Sequence, residues 1–268
     1  MNDLLKMIDN IRKEGYSEPS AEARVCQDIV LKAIDSSSFN RNITVKGGIV
    51  MRSITGDARR ATQDMDLDFI RYSLEEESIF CFINRLNCLD GIKIQVEGSI
   101  EELSQQEYHG KRVYISITDE NGYVLHSKID LGVHKQIQIE QDEYCFDVCI
   151  DEDGASLLIN SKEQIFTEKL RSLLRFGPFS TRYKDVFDLC WLSDRVNKER
   201  LLDYITIYIF ADPDMKEIDM ETILKRVQKT FANKNYLAHI EKSRSANWMN
   251  MSPKDAMDKV TAFLETLQ

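Results

Sequence analysis

Lys46-Gly47-Gly48-Ile49-Val50-Met51, followed past Arg59, Arg60 and Thr62 by Asp64-Met65-Asp66-Leu67-Asp68-Phe69, is the stretch that decides how this chain is read. Met65, Leu67 and Phe69 alternate with Asp64, Asp66 and Asp68, the period of a strand with one buried and one acidic face. Asp64 and Asp66, at i and i+2, project from the same side of that strand, about 7 Å apart along it. Such a pair can hold divalent cations that bridge the phosphates of a nucleotide. Ile43-Thr44-Val45 reads as a short strand feeding Gly47-Gly48, and Ile49 to Ile54 as a short helix. The glycine pair then sits where backbone N–H groups at a helix N-terminus favour phosphate oxygens. Thr62 and Arg60, just ahead of the carboxylates, offer a hydroxyl and a cation to the same ligand. A solvated surface position is the plainer reading of Arg60.

A third carboxylate comes from further along. Asn121-Gly122 is a strong hairpin signal between Val113-Ile115-Ile117 and a strand from Tyr123 to Val133. In that strand Tyr123, Leu125, Ile129, Leu131 and Val133 share one face, while His126, Lys128, Asp130 and His134 share the other. Were it to neighbour the Asp64–Asp68 strand, Asp130 would face Asp64 and Asp66. Three carboxylates on one face repel unless a cation neutralises them, and acidic residues are poor strand formers, so the pattern predicts Mg²⁺ or Mn²⁺. The alternative is a wet strand face with no ligand. With metal, the chemistry served is in-line phosphoryl or nucleotidyl transfer.

Around this core the pattern is helical from residue 1 to about 40, with Leu4, Leu5, Ile8 and Ile11 on one stripe and Val25, Ile29 and Ile34 on another. Glu75 to Leu86 reads as amphipathic helix, and Ile92–Val96 and Tyr144–Ile150 as strands. Ser161 with Gln164 is a capping box, after which helices run to Pro178 and over 183–194, 198–210, 216–231 and 253–267. The expected organisation is α+β: N-terminal helices over 1–40, an α/β region over 41–155 and an all-helical region over 156–268.

Bulk properties narrow the classes. The 268 residues are 43% hydrophobic and 30% charged, with no apolar run near the roughly 20 residues of a membrane span and no secretory pattern. A cytoplasmic protein with no membrane attachment is expected. Six cysteines lack paired spacing and read as buried free thiols, and four histidines show no zinc spacing. A net charge of −10 argues against broad non-specific nucleic-acid affinity. The charge is uneven, however. Lys169 to Lys184 holds five basic residues and no acidic one, and Ile223 to Arg244 holds six against Glu241. The second stretch, with Phe231, Tyr236 and Trp248 around it, offers a backbone-binding and base-stacking surface or, equally, a solvated helix face with core aromatics.

In the helical region Lys169 borders the Phe166/Leu170/Leu173 stripe, either snorkelling or reaching towards a triphosphate. Asp185 and Asp188 interrupt the apolar arc of Val186, Phe187, Cys190 and Trp191. Carboxylates there need partners, and Lys169, Arg175 or Arg182 qualify. The pair then serves as a buried ion-pair lock or in positioning substrate or metal.

Taken together, Lys46–Met51 and Arg60–Phe69 resemble the signature of the AbiEii/AbiGii-type nucleotidyltransferase toxins, within the DNA polymerase β-like superfamily. Glu168–Leu174 and Tyr183–Leu189 are similar to that family's later lysine and Arg-Asp-x-x-Asp motifs, so the likeness spans roughly residues 40 to 195. The resemblance implies a polymerase β-like sheet with a helical C-terminal half, use of NTP and Mg²⁺, and transfer to an acceptor that is often tRNA. It implies Asp64, Asp66 and Asp130 at the metal, Gly47 and Gly48 at the phosphates, Lys169 on the donor, and Asp185 with Asp188 in support. Ile49 stands where the family often has a small hydroxyl residue, and Lys184 where it has arginine.

The expected function is a type IV toxin–antitoxin toxin that transfers nucleotides to RNA, with tRNA the expected acceptor, under control of a cognate antitoxin. Alternatives are the same fold modifying a small molecule or protein side chain, or a catalytically silent nucleotide-binding regulatory module.

Overall fold

The computed structural model describes residues 3–103, 110–136 and 139–268. The chain divides into two compact units, Met1–Asn160 and Ser161–Gln268. The fold is α+β, with ten α-helices and one seven-stranded mixed sheet among the described residues.

In the first unit, helix α1 (Leu4–Lys13) is capped by Asp3 and buries Leu4, Met7, Ile8 and Ile11. Leu5 points outward, since position 7 rather than 5 completes the helical stripe with 4, 8 and 11. Helix α2 (Glu18–Ser36) opens with a proline in its first turn and buries an apolar face over the sheet. Strand β1 (Ile43–Lys46) leads into helix α3 (Gly47–Thr55), which ends at left-handed Gly56. Then come β2 (Asp66–Phe69), α4 (Glu76–Arg85), β3 (Ile92–Leu103), β4 (Gly110–Asp119) and β5 (Val124–Val133). Asn121 and Gly122 make the β4–β5 turn, with Asp119 Oδ1 accepting from the amides of Asn121 and Tyr123. Last are β6 (Asp142–Phe146) and β7 (Ala155–Ile159).

Sheet order is β3-β4-β5-β2-β1-β7-β6, with β2–β5 and β1–β7 parallel and the other pairs antiparallel. The end of β2 is pinned by an edge-to-face aromatic cluster, Phe39, Phe69, Tyr72 and Phe82, with ring centroids 5.0–5.5 Å apart.

Three expectations need correction. The strand expected over 144–150 ends at Phe146, so Cys149 lies beyond it, and Ala155–Ile159 adds a strand where none is expected. The cysteines are free, but Cys81, Cys88 and Cys145 are exposed. Cys145 lies on outermost strand β6, whose outer side nothing in the sheet covers. Lys234–Lys242, inside the second basic stretch, forms a helix of its own.

The second unit holds α5 (Lys162–Phe176), α6 (Lys184–Leu192), α7 (Lys198–Ile205), α8 (Met220–Phe231), α9 (Lys234–Lys242) and α10 (Pro253–Glu265). Ser161 caps α5 by accepting from the Gln164 amide, and Ser252 caps α10.

The first unit's core contains a buried charge cluster. Asp28, fully buried on α2, accepts from Arg24 Nε (2.8 Å), from an Arg52 terminal nitrogen (3.2 Å) and from the Cys149 amide (3.1 Å). Arg52, 2% exposed, rises from α3. The cluster thus ties α2, α3 and the segment after β6 together. Asp28→Ala would leave the buried Arg52 guanidinium without its carboxylate, while Arg24 keeps Tyr16 and the Asp147 carbonyl, and is expected to cost about 3–5 kcal/mol of unfolding free energy, read by urea denaturation.

Candidate active site

The parallel pairing of β2 with β5 sets Asp66 directly opposite Asp130, and Asp68 opposite Gly132. On the other edge of β2, antiparallel β1 sets Lys46 opposite Asp66. Asp64, just ahead of β2, is exposed, Asp66 is half-buried, and Asp68 and Asp130 are buried. The acidic side of this strand is therefore not a wet face.

Each flanking carboxylate has a cation. Arg112, on β4, grips Asp130 with two hydrogen bonds, Nε to Oδ1 at 2.7 Å and a terminal nitrogen to Oδ2 at 2.8 Å. Lys128 on β5 lies 3.1 Å from Asp64, and Lys46 at the end of β1 lies 2.6 Å from Asp68. Arg112 and the Lys46 pairing carry no signal in the sequence. Lys128 is visible there on the face of Asp130. Gly132 makes the Asp68 position possible, because a side chain on it would collide with the Asp68 carboxylate.

Asp66 carries the strain of the cluster. Burial pushes its carboxyl up, Lys46 opposes this, and Asp64, Asp130 and Asp68 add to it, leaving it at about 6. The two glycines sit against Asp66 and Thr62, one each. Gly47, at φ +65°, begins α3, and a Cβ there would stand 2.7 Å from Asp66 Oδ2. A Cβ on Gly48 would stand 2.5 Å from Thr62 Oγ1. So Gly47, Gly48, Thr62 and Asp66 are brought together at the N-terminus of α3. Gln27 of α2 pins the intervening loop, its amide donating to the carbonyls of Thr62 (3.0 Å) and Asp64 (3.4 Å). Arg60 is buried, not solvated, and Arg59 is spent on Asp57.

The donor set, being carboxylate oxygens, suits a hard divalent cation. As placed, however, no three His, Cys, Asp or Glu side chains among the described residues stand together in a way that would hold a metal ion. The positions a metal would neutralise are taken by Lys46, Arg112 and Lys128.

In the second unit Lys169 Nζ lies 2.5 Å from Asp185 Oδ1 and 2.8 Å from Asp188 Oδ2. Asp188 is fully buried and also accepts from Trp248 Nε1 at 3.0 Å. Of the cations weighed for these carboxylates, Lys169 is the one that meets both. It bridges α5 and α6 within one unit. Phe231, Tyr236 and Trp248 are all buried, so they present no stacking surface.

The family model described as nucleotidyl transferase AbiEii toxin, type IV TA system, matches residues 29–251. The chain belongs to this family of nucleotidyltransferase toxins, whose type IV toxin–antitoxin systems imply a cognate antitoxin. No curated protein matches it. Among the described residues no helix is long and apolar enough to cross a membrane.

Asp66 also predicts a pH dependence. Its folded value, about 6, lies above the ordinary 3.8, so the stability it lends is complete below about 3.8 and lost as pH rises through 6. The loss is on the order of 2–3 kcal/mol before water at its exposed part trims it. In chelator-containing buffer Asp66→Asn is expected to match the wild type near pH 4 and to melt several degrees higher at pH 7, as checked by calorimetry.

Proposed function

We propose that the first unit catalyses transfer of a nucleotide from an NTP to an RNA hydroxyl, with tRNA as the acceptor class, and that this inhibits growth. The observation that carries the reading is the strand register that sets Asp66 beside Asp130 while Gly47 holds the start of α3 against Asp66. Asp64, Asp66 and Asp130 would hold Mg²⁺ or Mn²⁺, which supplies charge neutralisation at the phosphates and a more acidic attacking hydroxyl. The Gly47 and Gly48 amides would take triphosphate oxygens, with Thr62 adding a hydroxyl.

In the transfer the acceptor oxygen bonds to the α-phosphorus and the bond to pyrophosphate breaks, the acceptor proton passing to the carboxylate cluster. Asp130 and Asp66 face that step from adjacent strands, and Lys46 and Arg112 keep their charge from scattering the strands. Lys128 lies nearest the exposed carboxylate, Asp64, and is the cation placed to exchange it for a ligand.

The test is incubation of the full chain with total tRNA and each labelled NTP, with Mg²⁺ or with chelator. Labelled tRNA is expected with Mg²⁺ only. Removing one such electrostatic contact costs about 10²–10³-fold in rate, so Asp66→Asn is expected to fall by that much. Label appearing equally with Asp66→Asn, or in chelator, would sink the proposal. Label on a small molecule or on protein instead of tRNA would move the acceptor to another class.

A further inference from the structure

The second unit contains a depression of about 390 Å³ formed by the end of α5, the 214–217 segment and α8. Leu174 and Met215 contribute its apolar lining. Five cations line it: Arg175, Lys216, Lys225, Arg226 and Lys229. Asp214 and Glu217 answer them within the lining; outside it Asp212 and Asp219 act on Arg175 and Lys225, and Lys225 pairs with Glu221 on its own helix. In a chain of net charge −10 the lining itself carries more positive than negative side chains. Arg226 is fixed in place, its Nε donating to the Leu174 carbonyl at 3.3 Å and a terminal nitrogen lying against Gly177.

The chain that leaves this depression carries two bare aromatic rings. Phe176, next to Arg175, is 47% exposed, and Phe179, two residues past the glycine that Arg226 touches, is 89% exposed. Burying a phenylalanine is strongly favoured, so a ring left this open beside a cationic groove calls for a partner. A groove of cations that tracks a backbone, with exposed rings at its margin on which bases can stack, is how unpaired nucleic acid is held.

We propose that this depression binds the phosphate backbone of an unpaired RNA segment, with a base stacked on Phe179. The proposal rests on the RNA acceptor of the preceding section and names where the second unit grips it. Charge complementarity selects the ligand: the cations suit phosphodiesters, and the neighbouring rings suit bases rather than a purely anionic partner.

The experiment measures binding of the full-length chain to a fluorescein-labelled unstructured RNA of about twenty nucleotides by anisotropy. No NTP is present, and salt is varied. Lys216→Glu with Lys229→Glu is expected to weaken binding at least tenfold and to flatten the salt dependence by about one unit of slope for each phosphate no longer neutralised. Phe179→Ala is expected to weaken binding about tenfold with the salt slope unchanged, and Phe179→Trp to restore it. Melting curves establish that each variant is folded, and all three positions are exposed. Wild-type affinity and slope in the folded charge-reversed variant would overturn the proposal. So would RNA affinity indifferent to Phe179. If the wild type binds RNA in this way yet transfers no nucleotide, the transferase reading fails while this one stands. If it transfers nucleotide but the variants bind and react normally, the reverse holds.

Discussion

Four carboxylates, from Asp64, Asp66, Asp68 and Asp130, crowd the junction of β2 with β5, and the architecture of the first unit answers to that crowding. Like charges on adjacent strands destabilise a sheet. The chain meets this with cations drawn from the strands on either side: Lys46 from β1, Arg112 from β4 and Lys128 from β5. The order β4-β5-β2-β1 is what brings those three within reach. Even so, Asp66 remains shifted towards its protonated form, first by burial and then by the three carboxylates beside it. The chain belongs to the nucleotidyltransferase toxins, and phosphoryl transfer runs on positioned charge and little covalent chemistry, which is the use the proposed function gives this cluster.

The second unit is built around a different solution to the same difficulty. Asp188 is buried without relief from solvent, yet it is satisfied by Lys169 and by the Trp248 indole. A buried ion pair of this kind contributes little net stability, but removing either partner is costly, and so it fixes which helices meet. The cluster gathers α5, α6 and the segment before α10 into one arrangement. Its fixed geometry fits a structural lock, whereas the cations of α8 line the depression to which RNA binding is proposed.

Much of this was legible in the chain, and what was not has identifiable causes. The alternation of Met65, Leu67 and Phe69 with aspartates is a local pattern, so β2 and its acidic side could be read directly. The relation of Asp130 to Asp66 needed only one further assumption, that their strands are neighbours. Arg112 and Lys46 left no mark, because ion pairing across strands follows from sheet order and not from spacing. Strand β7 was hidden by the short run Ala155–Ile159, in which Leu157 and Leu158 break the alternation, directly after the acidic turn residues 151–153. The basic stretch from 223 to 244 misled in another way. Its aromatics, on α8, on α9 and in the segment before α10, are core, while Phe176 and Phe179, flanking the Gly-Pro that ends α5, are the rings left open.

The three pairs around Asp66 are not equally firm, and their order matters for any ligand that competes with them. Lys128 and Asp64 are the most exposed pair, joined by a single contact, and pairs of this kind contribute about 0–1 kcal/mol. Lys46 and Asp68 are largely withdrawn from water, with Gly132 leaving room for the carboxylate. Arg112 holds Asp130 through two parallel hydrogen bonds whose planar geometry has no equivalent among lysine contacts. An incoming cation therefore meets Asp64 and Asp66 at small cost, whereas recruiting Asp130 requires Arg112 to give up at least one of its bonds. Arg112 thus steadies Asp130 against its acidic neighbours and, by the same two bonds, holds it back from any further cation.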